Sequence, residues 1–499
     1  MSPARARPPS WVLPALILTL AATLRLANLG AENLWIDEIF SLGQAGPPLE
    51  QIANFWDLDK RGSTRPLSLV LLHWIRGLGS SEALARLPYA LVGILDVAIL
   101  YLVARELFHR RTALTAALFL ALTPIHVWYS QEVRWYAQWS LLTTISFWAL
   151  VKAWKTDRTG WWLAYVGAAA LNLYTFVVTL HVLVAQTLTA WFLPDRGRRW
   201  AFRGKALASL AMVAVLALPA VMHTLGMGGG AGSGGGRVGT PRPSSLAALP
   251  YTFFAFVAGF TVGPTVAELH DLPAAGTLLR KYPEVLLFLA AFAPLFLIGL
   301  WALRTRGDLA AVVLPWALGL PVLVFGSSVL SGQTYNVRYA YPAVPGAALL
   351  LAVGVQSLGR LRVPAMALVM MLFGFSLFNY YLVPAYDKEH MREAMAFVRE
   401  RGNVEDPVVI VGQGLAAAEY YGQSLAVEPL RGCRVEPRGG AGGTAVRPED
   451  LRDDPDMWLV VSRDWGKEAL ECRRALAATH DVVARRAFVG VDVYRLRRR

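Results

Sequence analysis

The sequence predicts a polytopic all-α membrane protein, with about eleven transmembrane helices and a cytoplasmic amino terminus, followed by a C-terminal α/β domain on the outer side. Three observations predict it. Of 499 residues, 55% are hydrophobic and only 17% are charged, where a soluble globular chain carries about a quarter charged. Apolar runs of roughly 17 to 25 residues, long enough to cross a hydrocarbon core of about 30 Å, recur up to the neighbourhood of residue 383. Beyond that, residues 385–499 switch to short apolar strands and amphipathic helical segments.

The spans fall near 11–30, 87–106, 112–129, 137–153, 160–174, 177–193, 205–223, 284–303, 308–328, 342–358 and 363–383. With the amino terminus inside, the cytoplasmic face receives Arg5 and Arg7, His109–Arg111, Lys152–Arg158, the "DRGRRWAFRGK" loop, Arg304 with Arg306, and Arg360 with Arg362. The positive-inside rule is met at each of these turns. The net charge of +13 is therefore mostly topological, and nucleic acid is not an expected partner. The terminal "RLRRR" lies outside, but so far past the last span that translocation is largely indifferent to its charge. The first apolar run has the charge and length of a signal peptide, yet Arg25 interrupts its end and no small-x-small cleavage site follows. It reads as a retained helix whose Arg25 snorkels toward the far interface.

This topology exports the loop 31–86, which carries Asp37 and Glu38 in "LWIDEIFS", the turn "SQEVRWY" at 130–136, the stretch 224–283, and "SGQTYNVRY" at 331–339. Everything after Tyr386 is also outside. The segment "PLSLVLLHWIRGL" (66–78) is apolar but too short to span, and is expected in the interface plane with His73, Trp74 and Arg76 near the headgroups. The stretch 224–283 begins with "GMGGGAGSGGGRVGTPRP", which lacks the Lys-Ser/Thr ending of a phosphate-binding loop and reads as a flexible tether. The apolar part near 247–262 does not fit the inside-outside count as a span and is expected to be interfacial as well.

The tail supplies strands at "DPVVIVG", "MWLVVS" and "VDVYRL" and helices at "KEHMREAMAFVRER" and "WGKEALECRRALAATH". The domains are thus 1–384 and 385–499. Both cysteines, Cys433 and Cys472, fall in the tail, where an exported location permits a disulfide without requiring one. No CxxC, HExxH or His/Cys cluster occurs, so no dedicated metal site and no cofactor is indicated, although acids and arginines are compatible with a divalent ion.

The polar groups that invite chemistry all lie on the outer face. A carboxylate beside bound substrate can act as general base toward an attacking hydroxyl, and partial desolvation raises its pKa toward that task. Adjacent acids point in different directions, so Asp37 is assigned the proton and Glu38 orientation or an arginine partner. Arg134 and Arg338, at other outer turns, suit a phosphate because a guanidinium is a planar fork of donors that stays charged. Together they point to a hydroxyl displacing a phosphate-bearing leaving group. The plainer readings are weighed beside these. Asp37 and Glu38 as solvated loop charges fit poorly with Leu34, Trp35, Ile36, Ile39 and Phe40 around them. Arg134, Arg338 and Tyr339 could serve as anchors in an aromatic belt. Asp96, in mid-span, reads as a hydrogen-bonded structural acid, and His126, His181 and His223 as packing or interface residues.

The stretches "LRLANLGAENLWIDEIFSL", "RLPYALVGILDVAILYLVARELFHRRTALTAALFLALTPIHVWYSQEVRWYA" and "YNVRYAYPAVPGAALLLA" resemble the membrane glycosyltransferases of the GT-C superfamily. They are most similar to the bacterial family 39 group, which includes protein O-mannosyltransferases, the aminoarabinose lipid A transferase and lipopolysaccharide-core galacturonosyltransferases. The likeness covers roughly residues 12–385. It implies a GT-C-like multi-pass protein of the bacterial inner membrane, with its site and C-terminal domain periplasmic. It also implies an inverting enzyme that moves a sugar from a polyprenyl-phosphate carrier to an acceptor hydroxyl on a glycolipid, polysaccharide or protein. By position, Asp37 would be the base and Glu38 its neighbour, Arg134 and Arg338 would hold the lipid phosphate, and Glu132, Tyr136 and Tyr339 would line the pocket. Many relatives have His-Pro-Pro where this chain has Thr64-Arg65-Pro66, which makes Arg65 a candidate third phosphate contact. A transporter or flippase of an envelope glycolipid or solute is the alternative, although charged or broken midplane helices and internal repeats, its usual marks, are lacking apart from Asp96. A receptor reporting through the outer α/β domain would not need acids and arginines in separate loops on one face.

Overall fold

The computed structural model describes residues 9–52, 65–229, 245–265, 268, 280–333, 335–402, 406–425, 430–433, 445–447, 456–463 and 467–499. The expected tether lies largely outside these residues, as does Thr64. The chain forms two units, one made of Met1–Leu29, Gln44–Gly263 and Leu279–Tyr381, the other of Gly30–Gly43, Pro264–Leu278 and Leu382–Arg499. Segment 30–43, which carries the acidic pair, clusters with the C-terminal unit.

The first unit is helical: α1 (Val12–Leu26), α3 (Pro66–Arg76), α4 (Glu82–Leu107), α5 (Arg110–Leu122), α6 (Pro124–Ser130), α7 (Tyr136–Thr156), α8 (Thr159–Thr175), α9 (Thr179–Phe192), α10 (Arg199–Gly229), α11 (Ala248–Ala258), α12 (Pro283–Leu303), α13 (Gly307–Leu314), α14 (Leu320–Leu330), α15 (Val344–Gln356) and α16 (Arg362–Leu382), with α2 (Ile36–Gln44) belonging to the second unit. Among the described residues six helical stretches are long and apolar enough to cross a bilayer, and a seventh if α5 and α6, bent by 58°, count as one. The protein is a multi-pass membrane protein. Helices α7, α8 and α9 carry more polar residues, which meet inside the bundle. Asn172 donates to Thr143 (2.9 Å), Gln186 to Ser146 (2.6 Å), and the Trp139 indole to Thr179 (2.8 Å), contacts that join helices where water is absent.

Three departures from the expected spans have local causes. The span at 112–129 is broken at Thr123, because Pro124 has no N–H to give and pushes the preceding residue out of the helical region (ψ 116°). The span at 308–328 passes through a π-helical turn at Pro315–Gly319. The stretch at 247–262 is not interfacial: Thr252, Phe254–Ala258 and Val262 are buried in the main core, and the Ser376 hydroxyl and Asn379 amide donate to the carbonyls of Ala258 and Thr261. Its aromatic run "FFAF" is bulky enough to fill a core. Helices α12 and α15 approach so closely that a Cβ on Gly354 would lie 2.0 Å from the Leu295 carbonyl oxygen, so only glycine fits.

Arg25 does not snorkel; it is fully buried. Its guanidinium donates to the carbonyls of Ala21 (3.2 Å), Ala121 (3.1 Å) and Leu120 (3.2 Å), and to His126 Nδ1 (2.7 Å). The carbonyls of Leu120 and Ala121 are those left without an intrahelical partner where α5 stops at Thr123. A guanidinium only donates, so Nδ1 of His126 accepts and the ring proton sits on Nε2, which donates to Asp96 Oδ2 (3.1 Å). Ser140 Oγ donates to the same oxygen (2.6 Å). The group is one cation, one neutral ring and one carboxylate, with no net charge.

In the second unit α17 (Met391–Arg401), α18 (Leu415–Leu425) and α19 (Lys467–Thr479) accompany a six-stranded sheet of β1 (Val408–Gly412), β2 (Leu430–Cys433), β3 (Ala445–Val446), β4 (Asp456–Ser462), β5 (His480–Phe488) and β6 (Val491–Arg498). The order is β3-β2-β1-β4-β6-β5, with β1 parallel to β2 and β4, and β6 antiparallel to β4 and β5. Cys433 on β2 and Cys472 on α19 form a disulfide (Cα–Cα 6.2 Å) inside a cluster with Val409, Val411 and Leu459.

Candidate active site

Asp37 and Glu38 occupy the first turn of α2 in the second unit. The helix starts at Trp35, whose carbonyl accepts from the N–H groups of Glu38 (2.9 Å) and Ile39 (3.1 Å). Glu38 reaches back to accept from the Trp35 N–H (3.3 Å), half of a capping box. The Glu38 side chain is fully buried and its Oε2 also accepts from Lys388 Nζ (3.0 Å), itself almost entirely buried. Asp37 is half-buried and its carbonyl accepts from Ser41. The turn is fastened within the unit by the Leu34 N–H to the Tyr421 hydroxyl (2.7 Å), Arg392 to the Ala31 carbonyl (3.0 Å), and the Asn33 amide to Glu393 (2.6 Å). Burial acts to raise the Glu393 carboxyl, but the Asn33 amide, a backbone hydrogen bond, Arg392 and His390 outweigh it and hold the group below the usual glutamate range. Asp387, before Lys388, is pushed up by burial, partly offset by His390. Arg463 pairs with Glu389 and lies 5.2 Å from the Trp35 ring centre.

The other candidates lie in the first unit and converge on a tryptophan. The guanidinium carbons of Arg65 and Arg134 sit 3.7 Å and 3.8 Å from the centre of the Trp135 ring, so the two charges are no farther apart than the sum of those distances. Arg134 is held by a tight turn in which its N–H donates to the Glu132 carbonyl (2.8 Å). The buried Glu132 carboxylate accepts from the Trp128 indole (2.6 Å). From Trp135 the aromatic contacts run to Phe176 (5.4 Å) and on to Tyr339 (5.9 Å), and Arg338 lies 5.6 Å from the Tyr339 ring. The Asn336 side chain caps that turn by accepting from the Arg338 N–H (3.1 Å). Tyr136 packs against Tyr129 (4.4 Å) and Tyr341 (6.2 Å). All six first-unit candidates thus share one aromatic neighbourhood.

The architecture is that of known enzymes. The structure of ArnT from Cupriavidus metallidurans in the apo state matches with a TM-score of 0.58 at 16% identity, covering 97% of this chain and 97% of that one. The same protein bound to undecaprenyl phosphate gives 0.59 at 15% identity, covering 97% and 98%. The chain has the GT-C glycosyltransferase fold. The archaeal oligosaccharyltransferase AglB from Archaeoglobus fulgidus, in complex with an inhibitory peptide and a dolichol-phosphate, shares this fold at a TM-score of 0.54 and 12% identity, over 97% of this chain and 74% of that one. Residues 66–223 match the family described as dolichyl-phosphate-mannose-protein mannosyltransferase. No curated protein sequence gives a significant match.

Three groups within this fold were not legible in the sequence. Lys388 pairs with Glu38 across 350 positions, so no local pattern announces it, and it takes the place foreseen for an arginine. Trp135 was visible as a neighbour of Arg134, but its role as the ring shared with Arg65 was not. The Arg25–His126–Asp96 group showed only as isolated polar residues in apolar runs. Among the described residues no group of three or more His, Cys, Asp and Glu is placed to hold a metal ion.

Proposed function

We propose that the protein transfers a sugar from a polyprenyl-phosphate carrier to an acceptor hydroxyl at the outer face of a bacterial inner membrane. The observation that carries this reading is the two-way, nearly full-length likeness of fold to a protein whose structure holds undecaprenyl phosphate. The match of 66–223 to a family of lipid-phosphate-sugar transferases supports it.

The roles follow from the chemistry of each group. Glu38 already accepts from Trp35 and Lys388 and is buried, so its lone pairs are committed to holding the turn. Asp37, half-buried beside it, is the carboxylate we assign to the reaction. Asp37 removes the proton of the acceptor hydroxyl as that oxygen attacks the anomeric carbon. The bond from that carbon to the phosphate oxygen breaks on the opposite face, its electrons leave with the polyprenyl phosphate, and the configuration inverts. Arg65, Arg134 and Arg338 stabilise the departing phosphate, since guanidinium forks bind it through charge-assisted hydrogen bonds. Glu132, Tyr136 and Tyr339 shape the pocket. Periplasmic orientation of both the site and the C-terminal unit belongs to the same proposal.

The test is transfer of label from a polyprenyl-monophosphate sugar to envelope lipid, glycan or protein fractions by the purified protein, read by mass spectrometry. Asp37→Asn, folded and membrane-inserted, is expected to lower the rate by about 10²- to 10⁴-fold, the usual contribution of a general base. Transfer at the wild-type rate would remove Asp37 from the role. Accumulation of labelled solute in vesicles without covalent transfer would favour a transporter instead.

A further inference from the structure

The turn between α9 and α10 gathers three arginines, Arg196, Arg199 and Arg203, none of which forms an ion pair among the described residues. Arg203, in the second turn of α10, is only 5% exposed. One of its terminal nitrogens donates to the Trp191 carbonyl, its Nε has no hydrogen-bond partner, and its guanidinium carbon lies 4.1 Å from the Trp191 ring centre and 5.5 Å from that of Trp200. Among the described residues no carboxylate lies within ion-pair reach of it. Ring faces, one carbonyl and the more distant charge of Asp195 hold it, and a closer anion would add charge-assisted hydrogen bonds.

The surroundings are arranged for such an anion. Arg196 and Arg199 line the same cavity, Arg196 lies 4.1 Å from the Trp154 ring centre, and neither makes an ion pair among the described residues. Two acids line the same cavity, Asp157 bound by Arg198 (3.0 Å) and Lys205 (2.9 Å) and Asp195 accepting from the Arg198 N–H (3.0 Å), and the four lining arginines outnumber them by two. The first-turn N–H groups of α10 have no intrahelical partner and point the positive end of the helix dipole toward this place. The faces flanking the cavity are exposed and apolar: Phe192 is 65%, Trp200 74% and Leu207 58% exposed. A positive pocket opening beside bare hydrocarbon fits a ligand with a phosphate at one end and acyl chains at the other.

We propose that Arg196, Arg199 and Arg203 form a binding site for the phosphate headgroup of an anionic phospholipid, with the acyl chains lying along Phe192 and Leu207. The site lies at the helix ends expected in the cytoplasm and is independent of the transfer reaction.

The experiment uses the full-length protein, delipidated in neutral detergent and followed by native mass spectrometry and thermal unfolding. Phosphatidylglycerol should form adducts that survive activation and raise the midpoint of unfolding, whereas phosphatidylcholine and inorganic phosphate should do neither. Arg196→Gln/Arg199→Gln changes exposed positions, and its lipid-free unfolding midpoint should stay at the wild-type value while phosphatidylglycerol affinity falls at least tenfold. Arg203→Gln should lose the adduct as well. Equal binding of phosphatidylglycerol and phosphatidylcholine would overturn the proposal. So would wild-type affinity in the double variant, and so would inorganic phosphate stabilising as strongly as the lipid, which would make this a free-anion site.

Discussion

Removing the charge of Asp96 should cost far more than removing a hydrogen bond. In the folded chain Asp96 is the sole carboxylate of a fully buried group in which Arg25 donates to His126 and His126 donates to Asp96. Asp96→Asn preserves shape but leaves the Arg25 cation buried without a counter-charge, a change worth about 3–5 kcal/mol. The ratio of folded to unfolded protein then falls by roughly 10²- to 10⁴-fold, at about 1.4 kcal/mol per tenfold. Arg25→Met should cost a similar amount, since it strands the carboxylate and also the Leu120 and Ala121 carbonyls at the α5–α6 break. In the double variant the charge penalty cancels. What remains is the lost hydrogen bonding, roughly 1–3 kcal/mol per stranded group, so the two single costs will not add. Equilibrium unfolding in mixed micelles, followed by tryptophan fluorescence, measures all three. An Asp96→Asn protein within about 1 kcal/mol of wild type, or strict additivity in the double variant, would refute the reasoning.

Other outcomes are expected from the same structure. Glu38→Gln strands Lys388 in a buried place and should loosen α2, with faster hydrogen exchange over residues 36–44; Lys388→Met should do the same from the other side, and unchanged exchange in both would show the pair to be idle. Arg65→Ala and Arg134→Ala should each weaken donor binding by about 10- to 100-fold, the worth of a charge-assisted hydrogen bond, with little change in acceptor KM. Unaltered donor affinity would leave both arginines as ring-stacking anchors of Trp135. Reduction of Cys433–Cys472, which are 39 residues apart, should destabilise the second unit by up to about 4 kcal/mol on the chain-entropy account. Exchange rates of β1 and β4 peptides with and without reductant would register it, and identical rates would contradict it.

What could be read from the sequence was whatever depends on near neighbours. Hydropathy accumulates over a single helix, so α4, α10, α12 and α16 stand out from composition alone. The break at Thr123–Pro124 is likewise local, since proline acts on the residue before it. The pairing of charges is not local. Arg25 meets His126 across 101 positions, and Glu38 meets Lys388 across 350. Nothing in "LAATLRLANLG" or "AYDKEHMRE" specifies these partners. The snorkelling expected of Arg25 failed for that reason: in isolation its best escape is to water, but the broken helix nearby offers unpaired carbonyls and a ring nitrogen at less cost. The 247–262 stretch failed similarly, because whether an apolar segment lies on a bilayer or inside a bundle depends on the vacancy left by its neighbours.

Two of the buried ion sets among the described residues show how charge is treated inside the units. Arg25 and Asp96 are joined through a neutral ring, and Glu38 and Lys388 directly, so each set carries no net charge into its surroundings. That practice gives the acidic pair its asymmetry. Glu38 is paired with Lys388 and hydrogen-bonded on the buried side of α2, whereas Asp37 beside it is only half-buried. Two charged carboxylates on adjacent residues repel, and pairing Glu38 with Lys388 offsets that repulsion within the turn. On the proposed mechanism, the position of the base depends on Lys388 through Glu38. Lys388→Met should therefore lower the rate of transfer by loosening the turn that carries Asp37, and a wild-type rate in this variant would show that the lysine has no positioning part.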